Sequence, residues 1–230
     1  LLDKLNFKFN WKIALAGILV IILAVAGVAI YKEQTKVIPE ELMTETLERT
    51  TGAKSYRYSV KLSMVSDGKE HLWTDIEGIK ANETDFHIKG NMYETDVEIY
   101  QFEDITYQRD PVSDKWMEFP NTVTDMEVMM AEINPMSNFN FTQLSEIEYH
   151  GIEKVSGNKM YVLTCEPDIN NELLELYWED FTYRLWVDKG SKKISIAEIK
   201  AFNIQNPNNY LIFNINLWDF DKKVDLEKPK

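Results

Sequence analysis

No charged side chain occurs in residues 13–31 (IALAGILVIILAVAGVAIY). As a helix rising 1.5 Å per residue this stretch spans about 28 Å, close to the roughly 30 Å hydrocarbon layer of a bilayer. Trp11 and Lys12 precede it, and Tyr31 and Lys32 follow it. Aromatic rings and snorkelling ammonium groups at both ends are what an anchored helix needs. The stretch is read as a transmembrane anchor. Its rival is a cleaved signal peptide with apolar region 13–23 and small-residue site Ala24-Val25-Ala26, but the apolar run continues to Ile30.

Beyond the anchor, residues 37–50 have helical spacing, with Leu42, Thr46, Leu47 and Thr50 on one face. Pro39 suits the first turn, Glu40 and Glu41 favour its positive end, and Gly52 is a stop. From Ser55 the period falls to two. Tyr56, Tyr58, Val60, Leu62 and Met64 alternate with Arg57, Ser59, Lys61 and Ser63, as in a half-buried strand. Asp67-Gly68 marks a hairpin turn, and strands are expected at 71–79, 84–89, 93–102, 105–109 and 115–119. The pattern breaks at 121–146. Here Thr124 or Asp125 caps a helix running to Ile133, Asn134-Pro135 ends it, and a short helix or loop covers 139–145. Strands resume at 147–155 and 159–166 around Gly157-Asn158, a helix is expected over 170–180, and strands at 182–188, 194–202 and 210–220 complete the series. Short strands joined by tight turns imply an antiparallel meander in an α+β chain, without alternating βαβ units. The organisation expected is a tail (1–12), anchor (13–31), tether (32–38) and one domain (39–230).

Charge orients this arrangement. Of 230 residues, 25 are Lys or Arg and 38 are Asp or Glu, a net charge of −13. Residues 1–32 hold four lysines and one aspartate, so the excess of acid lies beyond the anchor. The positive-inside bias sets the N-terminus in the cytoplasm and the acidic domain on the extracytoplasmic face of the membrane. A net acidic chain lacks the basic footprint of a non-specific nucleic-acid binder.

Catalytic patterns are missing from the sequence. Cys165 stands alone, His71, His87 and His150 are far apart, and there is no HExxH, GxSxG, SxxK or Gly-rich phosphate loop. The chain is therefore read as a non-enzyme without a metal or cofactor. Asp219, Asp221, Asp225 and Glu227 resemble a calcium-ligand series but lack the turn glycine and closing glutamate of an EF-hand. Cys165 reads as a small buried hydrophobe. Met117, Met126, Met129, Met130 and Met136 cluster around the central helix, where adaptable thioethers either line an apolar pocket or pack a helix on a sheet. The strand aromatics, Tyr56, Tyr58, Trp73, Phe86, Tyr93, Tyr100, Tyr107, Trp116, Trp186 and Trp218, either wall such a pocket or make cross-strand pairs.

The order of parts resembles a family. An anchor and amphipathic helix lead to TTGAKSYRYSVKLSM, a meander contains ITYQRDPVSDKWMEF, and late elements read LWVDKGSKKI and NLWDFDKKVDLEKP. Together these resemble the LolA-like superfamily of bacterial lipoprotein carriers, which includes mycobacterial lipid-carrying lipoproteins and periplasmic sensor domains. The resemblance implies a curved, mainly antiparallel half-barrel with helices on its concave face and acyl chains held between them. The lining would be Tyr56, Tyr58, Val60, Leu62 and Met64 from the first strand, with Met126, Met129 and Met130 from the central helix. Many relatives are anchored through a lipid-modified N-terminal cysteine, whereas no cysteine lies near the apolar stretch here. A helical tether favours local hand-off, sensing or partner binding over long-distance carriage. The function expected is a membrane-anchored protein that holds a lipid or other apolar ligand. The alternative is an envelope sensor or scaffold whose acidic surface binds another protein, with a fully packed interior.

Overall fold

The computed structural model describes residues 37–121, 134–169 and 172–229. The apolar stretch 13–31 and the helix expected up to Ile133, with Met126, Met129 and Met130, lie outside the described residues. Among the described residues no helix is long and apolar enough to cross a membrane.

Helix α1 (Pro39–Thr51) precedes eleven strands: β1 (Tyr56–Ser66), β2 (Lys69–Lys80), β3 (Phe86–Met92), β4 (Thr95–Gln101), β5 (Ile105–Arg109), β6 (Trp116–Pro120), β7 (Phe141–Val155), β8 (Asn158–Ile169), β9 (Trp178–Asp188), β10 (Ile194–Asn203) and β11 (Tyr210–Trp218). They form one sheet in the order β6-β5-β4-β3-β2-β1-β11-β10-β9-β8-β7. Chain neighbours are sheet neighbours at every step but one. β1 pairs antiparallel with β11, from Arg57↔Trp218 to Val65↔Tyr210, and so joins a meander that runs outward to a second that returns.

Two-residue turns with positive φ at both positions make three hairpins: Asp67-Gly68, Tyr93-Glu94 and Ser156-Gly157. Their backbone twist matches that of the flanking strands. Pairing slips at Leu62/Ser63 between β1 and β2, at two places between β9 and β10, and at three between β7 and β8. Such bulges bend strands and raise the local twist. The result is an open, curved, mainly antiparallel sheet, consistent with a half-barrel.

Helix α1 lies on one face of this sheet, here called the inner face, against β7, β10 and a 3-10 turn (Pro135–Phe139). It buries Leu42, Met43, Thr46 and Thr50. In β10, Ala197 and Ala201 are inaccessible and small enough for close packing. The Thr50 hydroxyl donates to Thr46 O at 2.6 Å and accepts from the Ile194 N–H at 2.9 Å, which pins the helix end to β10. Thr50→Val keeps the shape but strands that buried N–H, so urea denaturation should show a loss of about 1–3 kcal/mol.

Three expected elements are corrected. The helix expected at 170–180 is a single turn, α2 (Glu172–Glu175), and Trp178 already belongs to β9. Trp178 pairs with Asn203, Glu179 pairs with Phe202, and Trp178 and Phe181 are buried, so sheet pairing overrides local helical preference. The short helix or loop expected at 139–145 is instead the end of the 3-10 turn followed by strand from Phe141. No residue of this edge strand is fully buried, so its sequence carries little alternation. Finally, the outer face of β1 is not wet throughout. Ser63 and Val65 are buried there, with Val65 paired to Tyr210 and Tyr210 packed 5.9 Å from Phe202.

Candidate functional site

Because the β1–β11 pairing is unbroken, Tyr56, Tyr58, Val60, Leu62 and Met64 all point to the inner face. Tyr56, Tyr58 and Val60 are buried, whereas Leu62 and Met64 are half-buried. The Tyr56 hydroxyl donates to Asn134 Oδ1 at 2.8 Å, and Asn134 Oδ1 also caps the 3-10 turn by accepting from Met136 N. Tyr58 crosses over Gly78, whose missing Cβ would sit 2.1 Å from the Tyr58 ring. Burial pushes both phenols up, so they stay protonated.

Cross-strand register extends this face. One row runs through nine strands: Val97, Gly90, Ile76, Val60, Ile215, Ala197, Leu185, Leu163 and Tyr149. Apart from the Tyr149 hydroxyl, it holds no polar side-chain group. Next to it, Leu62 pairs with Phe213, which pairs with Ile199, and Thr74 pairs with Met92. Among the described residues three buried side-chain polar atoms lack a hydrogen-bond partner: Thr46 Oγ1 on the buried side of α1, Gln101 Oε1 and Asn209 Oδ1. Cys165 lies on the inner face beside Tyr183, and burial pushes its thiol up to about 12, so it is an unreactive packing residue.

The strand aromatics divide between the two faces. Tyr56, Tyr58 and Phe86 are inner. Tyr100, Tyr107 and Trp116 share the register rows of His87 and Arg109 on the outer face, where His87 stacks on Tyr100 at 3.9 Å and Tyr100 meets Trp116 edge-on at 5.6 Å. Beside them the carboxylate of Glu98 is shielded from solvent. It accepts from Arg109 at 3.0 Å and from His87 Nε2–H at 3.3 Å, with Lys89 at 3.8 Å. An open groove of about 440 Å³ along this cluster is lined by Asp75, Lys89, Glu98, Arg109 and Asp114. Its charges are spent on one another, since Arg109 also pairs with Asp114 at 2.7 Å.

Burial lowers the pKa of His87 despite the opposing hydrogen bond that its ring donates to Glu98. The unfolded chain therefore takes up the proton more readily. The contribution of His87 is complete above about pH 6.5, the ordinary histidine value, and is lost as pH falls through its lower folded value. Melting curves should show stability declining as pH drops below 6.5, by at most about 1.4 kcal/mol per pH unit for one proton, and His87→Gln should flatten that decline.

Asp219 and Asp221 pair with cations. Asp219 faces Arg57 and Lys222, while Asp221 accepts from Lys193 and from Lys54 N. No group of three or more His, Cys, Asp or Glu that could hold a metal occurs among the described residues.

A feature that sequence reasoning missed lies at the turn end of β7–β10. On the inner side of the β7–β8 hairpin, Ile152 pairs with Tyr161 and Lys154 pairs with Lys159. The β9–β10 turn joins them through Lys189 N–H donating to Lys159 O at 3.1 Å. Lys192 Nζ lies 4.0 Å and Lys189 Nζ 5.8 Å from the Tyr161 ring centre. In sequence these lysines belong to two separate turns, and only the repeated Lys of DKGSKK hinted at a basic corner.

No family model matches the chain, and no curated protein matches it. Solved structures do. The crystal structure of LprF from Mycobacterium bovis aligns with a TM-score of 0.54 at 11% identity, covering 83% of this chain and 96% of that one. The Mycobacterium tuberculosis lipoprotein LppX aligns at 0.49 and 14% identity, over 82% of this chain and 99% of that one. The LolA superfamily protein NE2245 from Nitrosomonas europaea aligns at 0.33 and 12% identity, over 84% and 96%. The likeness to LprF is one of fold.

Proposed function

We propose that this chain, built on the half-barrel fold it has in common with LprF, is an envelope binding protein that holds a lipid or other apolar ligand against its inner face. The observation that carries this reading is the nine-strand row without a polar group at its centre, from Val97 to Leu163 and Tyr149. Ligand sites are concave, mostly apolar and supplied with a few polar groups. Leu62 and Met64 offer half-buried apolar surface, with the unpartnered Gln101 Oε1 buried on the same face. In this reading Tyr56, Tyr58 and Val60 form the floor, Leu62 and Met64 touch the ligand, and Met126, Met129 and Met130 belong to its cover. The apolar stretch 13–31 tethers the protein to the membrane, with the acidic domain on the extracytoplasmic side. The protein binds and does not catalyse.

Native mass spectra of the purified full chain, before and after organic extraction, test the proposal. A recurrent extractable mass in the lipid range is expected. A chain that is free of ligand and stays so after incubation with membrane extract would refute the proposal and favour a protein-binding scaffold.

A further inference from the structure

We infer that the lysine corner at the turn end of β7–β10 is a headgroup site for the phosphate of an anionic lipid; this inference rests on the lipid-binding function proposed above. Ile152, Lys154, Lys159, Tyr161, Lys189 and Lys192 compose it. The inner face of the β7–β8 hairpin changes character within one register step, from the Ile152–Tyr161 pair to the Lys154–Lys159 pair. Ile152 remains 47% exposed, an apolar surface next to ammonium groups. Lys189 and Lys192 lean over Tyr161 from the neighbouring turn. An apolar floor that ends in lysines from two adjoining turns matches an amphiphile whose chains lie on the sheet and whose phosphate projects at its end.

Charge sets this corner apart. The chain has an excess of acid, and Arg57, Lys61, Lys89, Arg109 and Arg184 on the strands each pair with a carboxylate. None of Lys154, Lys159, Lys189 and Lys192 has a carboxylate within 4.0 Å among the described residues. The nearby acids are engaged elsewhere. Asp188 Oδ1 accepts from Gly190 N, Ser191 N and the Ser191 hydroxyl. Glu153 turns to the outer face, where it accepts from Arg184 at 2.9 Å and Trp186 Nε1 at 2.8 Å. Four ammonium groups without counter-charges repel one another, and an anion among them relieves that repulsion. Lysine acts as a compact point charge toward phosphate and imposes no planar geometry.

The test offers the full chain, in non-ionic detergent, an equal mixture of phosphatidylglycerol and phosphatidylcholine with identical acyl chains, and reads bound lipid by native mass spectrometry. The wild type should take up phosphatidylglycerol about tenfold over phosphatidylcholine. The Lys189→Gln/Lys192→Gln and Lys154→Gln/Lys159→Gln variants should each bring that ratio toward one while phosphatidylcholine uptake is unchanged. Equal uptake by the wild type, or an undiminished preference in both variants, overturns the headgroup site but leaves the apolar site standing. Binding of neither lipid overturns the apolar site and the headgroup site together. Glycerol phosphate competing as well as phosphatidylglycerol overturns the inference too, since a free phosphate would then suffice without the apolar floor.

Discussion

Gly90→Ala should destabilise the protein strongly, by about 3 kcal/mol or more. Gly90 sits at φ +152°, and a Cβ there would lie 2.2 Å from Asp75 O and 2.7 Å from Ile76 Cα. Both are backbone atoms of the adjacent strand, so no side chain can swing aside. Relief requires β3 to move away from β2, which breaks the ladder between Thr74↔Met92 and Lys80↔Phe86 in the middle. Backbone strain combined with overpacking should cost about 3 kcal/mol or more, a large share of the roughly 5–15 kcal/mol that stabilises a typical domain. Gly157→Ala is the control. Gly157 also has positive φ, at +90°, but nothing lies within 4 Å of the Cβ position, so only conformational strain of about 1 kcal/mol is expected. Equal losses at the two sites in urea melts would mean that close strand approach does not explain Gly90.

The second large effect concerns binding. The double variant Leu62→Asp/Met64→Asp should lose lipid about 100-fold while its circular dichroism matches the wild type. Both side chains lie on the inner face and both are half-buried, so solvent can hydrate the new carboxylates in the free protein. A bound acyl chain would strip that water, and burying an unpaired charge costs several kcal/mol. About 2.7 kcal/mol already corresponds to 100-fold in affinity. Retained binding with an unchanged spectrum would show that the ligand does not lie along β1. Arg57→Gln changes the outer face of the same strand and should leave lipid uptake as it was.

Local order was legible in the chain. Period-two alternation over residues 56–64 marked β1 and assigned its five apolar residues to a common face, which the β1–β11 register bears out. The Asp67-Gly68 turn was visible because glycine tolerates the positive φ that a two-residue turn imposes. The Tyr93-Glu94 turn was not. Neither residue signals left-handed backbone, and both adopt it because β3 and β4 hold the ends of the turn in register.

Contacts made at a distance were beyond the reach of periodicity. Alternation states that Ile215 and Val60 each have a buried side, but their meeting depends on a ladder between β1 and β11, separated by some 150 residues of chain. That ladder merges two meanders into one sheet and makes the apolar row continuous. The segment 170–180 shows the same limit from the other side. Its composition favours a helix, yet pairing of Trp178 with Asn203 satisfies the backbone and draws Trp178 into β9. The lysine corner assembles likewise, from two hairpins whose tips are about 30 residues apart, with Lys189 and Lys192 of one turn set over Tyr161 of the other hairpin. Strand identity and facing follow from neighbouring residues, because the pleat has a fixed period. Which faces meet follows from long-range hydrogen bonding and burial, whose free energy depends on the whole sheet being in place.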